Sequence, residues 1–347
     1  MRLGIMLGYS GGGFARAVDE LVDFERAGAD IVAVPEAYSF DAVSQLGFVA
    51  ARTSRMELAS GIVQLYSRTP TLTAMTAAGL DYVSGGRFSL GLGASGPQVV
   101  EGFHGVSFDA PLARTRETVE ICRQVWRRER VVYTGEHYQV PLPPGRGTGL
   151  GKPLKLINHP VRPRIPVILA AVGPRSVAMT AEIAEGWWTL FFHPERAAGV
   201  WAAPLDAGLA LRDPALGPLD ILTSVPFAIT DDASSALDAH RAQLALYIGG
   251  MGARGRNFSN DLVRRYGYEG EAALIQDLYL DGHRAEATAA VPDDLVRDTA
   301  LVGPVGYVKE RLAAYAGAGV TTLLVSPLAR TAEARLDEVS QLRDILE

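Results

Sequence analysis

Short, nearly continuous apolar runs alternate along this chain with longer, alanine-rich stretches of mixed polarity. The run "RLGIML" (2–7) predicts a first strand, and "FARAVDELVDFERAG" (14–28) a helix that ends on Gly28. The couplet then repeats. "DIVAVPE" (30–36) precedes "FDAVSQLGFVAART" (40–53), and "MELASGIVQL" (56–65) precedes "TPTLTAMTAAGLDYVSGG" (69–86). "RFSLGLG" (87–93) precedes "APLARTRETVEICRQVWRRE" (110–129). Pro70 opens the third helix and Gly85-Gly86 closes it, as capping chemistry favours. Strand–helix alternation predicts parallel pairing, and strands apolar on both faces predict a sheet covered on both sides.

A hairpin pattern, "VVYTGEHYQV" (131–140), and a segment rich in proline, glycine and basic residues (141–166) interrupt the rhythm. It resumes with strands at "VILAAV" (167–172), "WWTLFF" (187–192), "DILTSVPFAI" (220–229) and "TTLLVSPL" (321–328), and with a helix at "RSVAMTAEIAEG" (175–186). Eight such strands predict an α/β fold, a (β/α)8 TIM barrel, over an open sheet. The expectation is a single domain over 1–347, with insertions at about 130–166 and 247–300. The second insertion contains the glycine-rich "YIGGMGARGRNF" (247–258).

Composition narrows the function classes. The chain is 48% hydrophobic with a net charge of −6, so it can fill a core and carries no global basic field to attract nucleic acid. The cluster Arg127, Arg128 and Arg130 ends a helix, where cations suit the dipole. The single cysteine, Cys122, excludes an internal disulfide and disfavours a cysteine-ligated metal. The amino-terminal residues are too quickly polar for a signal peptide, and no apolar run is long enough to span a membrane. The expectations are a cytoplasmic protein with a small-molecule substrate, no nucleic acid and no membrane partner. The six histidines show no metal-ligand spacing, so no metal site is expected; a nucleophile elbow and a Walker A loop are also absent.

A barrel places its active site at the carboxyl ends of the strands. There the chain presents Glu36 to Tyr38, Ser60-Gly61-Ile62, Gly93-Ala94-Ser95 and Ala171 to Ser176. Glycines at three strand ends allow a large planar ligand to approach backbone closely. At strand five, Gly173 and Pro174 open a helix whose first amides lack partners, and Arg175 adds charge. That junction reads either as an anion cradle or as an ordinary capped turn. "GLGASGP" (91–97) lacks the full dinucleotide fingerprint, since no helix is expected directly after it. Trp187 and Trp188 alternate, one pointing into the barrel and one toward the helices.

"ERAGADIVAVPE", "LASGIVQLYSRTP", "DYVSGGRFSLGLGASGP" and "ILAAVGPRSVAMTAEIAEGWW" together resemble the bacterial-luciferase-like barrel superfamily, in its coenzyme F420-dependent branch. The stretch from "GLGKPLKLINHP" onward is similar to an actinobacterial subgroup of F420-dependent oxidoreductases. The resemblance implies a non-prolyl cis peptide at Gly61–Ile62 backing the deazaflavin ring, with Ser60 beside it. It implies that Gly93, Ala94 and Ser95 lie along the ribityl and phosphate portion. It implies that Ala171, Val172, Gly173, Pro174 and Arg175 hold the phosphate, and that residues 141–166 cover the opening. Arg254 and Arg256 are candidates to meet the acidic oligoglutamate tail.

Coenzyme F420 exchanges hydride, so the resemblance implies a reductase or dehydrogenase acting on a small organic substrate. Dehydrogenases of the branch carry Asp-His where this chain reads Glu36-Ala37, so their histidine base is missing. Glu36 is the candidate catalytic residue, with a strand-end carboxylate pairing an arginine or an amide as the other reading. Tyr38, Tyr66, His104 and His193 are substrate-side candidates. An FMN-dependent monooxygenase on the same barrel, and a non-catalytic cofactor-binding protein, are the competing functions. A homodimer through the apolar second and third helices is expected.

Overall fold

The eight apolar runs close on themselves. The computed structural model describes residues 1–9 and 13–347. Strands β1 (Arg2–Met6), β2 (Ile31–Val34), β3 (Glu57–Ser60), β4 (Phe88–Gly93), β5 (Val167–Ala170), β6 (Gly186–Thr189), β7 (Asp220–Ile229) and β8 (Thr322–Pro327) pair in parallel, each with the next. Pairing of β8 with β1, Arg2 against Thr322, completes the barrel. The architecture is the (β/α)8 barrel that the strand count predicts.

Two apolar layers hold it. Ile31, Ala33, Ala59, Ile168, Trp188, Leu222 and Leu324 fill the barrel interior. The opposite strand faces pack on the surrounding helices α1 (Phe14–Arg26), α2 (Ala42–Arg52), α3 (Pro70–Val83), α4 (Pro111–Trp126), α5 (Pro174–Ile183), α6 (Pro194–Leu209), α7 (Val305–Gly317) and α8 (Ala332–Leu346). The tryptophan pair divides as its alternation predicts. Trp188 lies inside and donates to the Ser224 hydroxyl at 3.2 Å, while Trp187 turns outward onto Trp201, ring centroids 5.1 Å apart. Cys122 is buried, and burial pushes its thiol well above the usual range, so it stays a packing residue.

Four details depart from the sequence expectations. The third run does not stay a strand: it breaks at Gly61-Ile62 and resumes as Val63–Gln64, which pairs with the end of β4. A short helix, Pro97–Gly102, does open directly after the β4 glycines, with Gly96 as its cap. The later part of the central excursion is drawn away from the strand ends. Its hairpin pairs Tyr133 with Val140 alongside α4, and its later anchors all lie at the opposite end of the barrel. Arg162 binds Asp81 at 2.8 Å and the Phe88 carbonyl at the start of β4, and Arg128 at the end of α4 binds the Leu156 carbonyl. The second insertion ends on a strand that the apolar pattern does not predict. Helices Ala233–Ala245, Phe258–Arg265, Glu269–Leu280, Arg284–Ala289 and Asp293–Asp298 build it, and strand Leu301–Gly303 returns to pair with β7.

Candidate active site

The break in the third run creates the site's floor. Ladder pairing between β3 and β4 stops after Ala59, and the peptide between Gly61 and Ile62 is cis. The Ser60 hydroxyl takes over: it donates to the Gly91 carbonyl at 2.8 Å and accepts from the Gly91 amide at 2.9 Å. Ser60 is fully buried by these contacts, so it holds the break in place and does not itself face the mouth.

Beyond the break, three strand ends meet without bulk. A Cβ on Gly61 would sit 2.7 Å from the Trp188 ring, and one on Gly93 would sit 2.9 Å from the Ile62 side chain and 3.3 Å from Ala170. Only glycine permits that closeness, and the result is a low shelf made of Gly61, Ile62, Gly93 and Ala170. Ala170 is exposed although the three preceding β5 residues are buried, which marks it as the residue facing the open mouth. Ala171, the sequence candidate, turns the other way: it is buried, and its carbonyl accepts from Trp187 Nε1 at 2.9 Å. The period-two alternation of β5 was the signal that separates these neighbours. Ala94 and Ser95 follow Gly93 and are half-buried, with Ser95 in the left-handed region at φ 60°.

The strand-five junction offers donors that an anion could use. Gly173 caps α5 without a side-chain bond, and Pro174 is its first residue, so the amides of Arg175 and Ser176 lack partners within the helix. A hollow of about 370 Å³ opens there, lined by Gly173, Pro174, Phe258, Asp261, Arg264 and Arg265. Arg265 donates through Nη2 to the Val172 carbonyl at 2.8 Å, while its buried Nη1 has no partner among the described residues. Burial lowers the pKa of this guanidinium, which gains from an anion beside it. The Arg175 side chain instead lines a separate outer groove with Arg116, Met179 and Glu182. Arg264 and Arg265 carry no sequence signal, because only the insertion's return path brings helix Phe258–Arg265 to β5.

On the other flank, Glu36 is buried and fully engaged. Arg68 grips both carboxylate oxygens at 2.7 Å, and the Ala42 amide adds a third bond at 3.1 Å. The Gln64 amide donates to the Ala37 carbonyl at 2.8 Å. Together these bonds fix a turn in which Ala37 adopts φ 45°, a conformation that a non-glycine residue holds only when its surroundings impose it. Tyr38 follows directly and stands exposed over the mouth.

The remaining candidates are mostly committed elsewhere. The Tyr66 hydroxyl donates to the Asp109 carbonyl at 2.7 Å. His104 stands edge-on to Phe103, with Nε2 buried. His193 is buried between Glu195 at 3.1 Å and Asp298 at 3.7 Å, and burial lowers its pKa. This trio has a spacing that could hold a cation, yet Arg311 already lies against Glu195 and forks to the Asp298 carbonyl. Arg254 is paired with Asp277 and Asp281, which leaves it poorly placed to meet an acidic tail.

Against known proteins, residues 1–322 match the family model described as luciferase-like monooxygenase. The chain belongs to the luciferase-like family. It is 44% identical over 330 residues to a Mycobacterium tuberculosis protein named "Putative coenzyme F420-dependent oxidoreductase", covering 94% of this chain and 95% of that one. Among solved structures, the coenzyme F420-dependent tetrahydromethanopterin reductase of Methanopyrus kandleri superposes with a TM-score of 0.80 at 22% identity, covering 98% and 97% of the two chains. An F420-dependent secondary alcohol dehydrogenase, solved with an F420–acetone adduct, superposes at 0.76 with 16% identity over 100% and 99%. These two likenesses concern the fold alone, which this luciferase-like chain shares along its whole length. No helix among its described residues is long and apolar enough to cross a membrane.

Proposed function

We propose that this luciferase-like protein is an oxidoreductase that exchanges hydride between coenzyme F420 and a small organic substrate. The observation that carries the reading is the glycine shelf ending in an arginine-lined hollow: a flat floor for a ring system, joined to a positive end for a phosphate. The 44% identical mycobacterial relative supports the choice of deazaflavin. When bound, F420 supplies a two-electron hydride exchange.

The chain's own residues then have distinct tasks. Gly61, Ile62, Gly93 and Ala170 receive the ring face, with Trp188 packed beneath as a rigid support. The open α5 amides and Arg265 neutralise the phosphate, and Ala94 and Ser95 run between the two ends. Glu36 is a positioning residue in this reading: through Arg68 and the Ala42 amide it holds the turn that displays Tyr38.

The purified protein should quench F420 fluorescence with tight binding and bind FMN at least tenfold more weakly. FMN bound as tightly, with oxygen uptake in the presence of a flavin reductase, would favour an FMN-dependent monooxygenase, the reading that the family description carries.

We also propose a homodimer through α2 and α3. Phe48, Leu72, Met75, Tyr82 and Val83 leave an apolar face exposed on these two helices, larger than scattered surface residues need. Light scattering at micromolar concentration should give about twice the 37.0 kDa chain mass, and Met75→Asp should shift it toward one. A monomeric wild type would end this proposal.

A further inference from the structure

The shelf accounts for the floor of the site but not for its rim, which is built from aromatic rings. Tyr9 follows β1, Tyr38 follows β2, Phe103 follows β4, Phe191 follows β6, and Tyr247 comes from the second insertion. Tyr38 and Phe103 lie with ring centroids 6.2 Å apart, and Phe191 meets Tyr247 edge-on at 5.3 Å. Tyr9, Tyr38 and Phe103 are each at least 60% exposed, unusual for rings at the mouth of a barrel whose interior is otherwise filled.

Three of these rings carry phenols, and none of the three hydroxyls has a hydrogen-bond partner among the described residues. By contrast, Tyr66, Tyr266, Tyr268 and Tyr315 each donate to a protein oxygen. The Tyr9 ring is largely exposed, yet desolvation by the groups packed around it, reinforced by Tyr247 and Tyr38, pushes its hydroxyl up to about 12, so it stays protonated at neutral pH. Burial raises Tyr247 as well. The charged groups beside the rim are already consumed, Arg68 by Glu36 and Arg114 by Asp109. Among the described residues, a phosphorylated or carboxylated substrate finds no open counter-charge beside these rings, whereas a flat neutral one finds rings to stack on and phenols to bind its oxygen.

Resting on the F420 reading above, we propose that the substrate is a neutral, planar, conjugated carbonyl compound, an enone or quinone, and that Tyr38 is its proton donor. Tyr38 is chosen over its neighbours because its turn is tied to the shelf: the Ala37 carbonyl is held by Gln64, two residues beyond Ile62. Tyr9 and Tyr247 flank the substrate and orient it.

In the reduction of an enone, bound reduced F420 would supply the hydride that forms a C–H bond at the β-carbon. The C=C electron pair shifts toward the carbonyl, whose oxygen takes the Tyr38 proton, and the phenolate recovers a proton from water. The saturated ketone forms through its enol, and the deazaflavin leaves oxidised. For a quinone the same hydride and proton yield the hydroquinone.

Menadione serves as the probe. Without cofactor, it should quench the tryptophan fluorescence of the protein saturably, and Tyr9→Phe and Tyr247→Phe should weaken that binding severalfold. With reduced F420, Tyr38→Phe should lower kcat by about a hundredfold and leave both F420 binding and the cofactor-free menadione affinity within about twofold of wild type. Tyr9→Phe and Tyr247→Phe should act mainly on KM. Wild-type kcat in Tyr38→Phe would overturn the donor assignment. Displacement of menadione by glucose 6-phosphate would overturn the substrate class. Failure of F420 to bind at all would instead strike the cofactor reading, while the cofactor-free menadione titration still reports on the rim.

Discussion

Gly91→Ala should lower the unfolding free energy by about 3 kcal/mol, near the upper end for an overpacked core site. A Cβ at this position would lie 1.7 Å from the Ser60 carbonyl oxygen, which is backbone and cannot rotate away. The substitution would also push apart the two Gly91–Ser60 hydrogen bonds that replace the β3–β4 ladder at the break. Denaturant unfolding measures the loss, and F420 binding should fall with it, since the shelf rests on the same junction. Gly199→Ala is the control. Gly199 is exposed in α6 with nothing within 4 Å of its Cβ position, so alanine should raise stability by about 0.5–1 kcal/mol. Equal stability of Gly91→Ala and wild type would show that the break relaxes to admit a methyl group.

Arg265→Ala should weaken F420 binding by about 10- to 100-fold, the range expected for losing a charge-assisted bond to phosphate. The argument is the unpartnered Nη1 facing the hollow at Gly173, with Nη2 already held by the Val172 carbonyl. Arg265→Lys should lose less, because it keeps the charge but not the fork. A deazaflavin lacking the phosphate separates this role from a structural one. It should bind wild type and Arg265→Ala about equally. An equal loss for both ligands would mean that Arg265 acts by holding Val172 in place.

The two experiments probe parts of the site that the chain makes legible to different degrees. The glycines at 61, 91 and 93 interrupt apolar strands, and that interruption is visible in a string of letters because strands rarely spend buried positions on glycine. Glu36 stands out as a carboxylate at a strand end, but its letters do not say whether it is free. Arg68, far along the chain, answers that by taking both oxygens. Arg265 and Tyr247 give no local cue at all, since each reaches the mouth through a long insertion.

The sequence by itself determined the βα rhythm, the eight parallel strands and the strand ends at which ligands would gather. Those follow from local rules: apolar periodicity, capping residues, and the sparing use of glycine in strands. Tertiary structure decided the rest. Strand alternation turned Ala170 rather than Ala171 toward the mouth, and Arg128 and Arg162 drew the later part of the central excursion to the far end of the barrel. The second insertion brought Arg265 to the hollow at Gly173 and Tyr247 against Phe191 at the mouth. Contacts between residues tens to hundreds of positions apart leave no periodic trace in the chain, and only closure of the barrel brings them together.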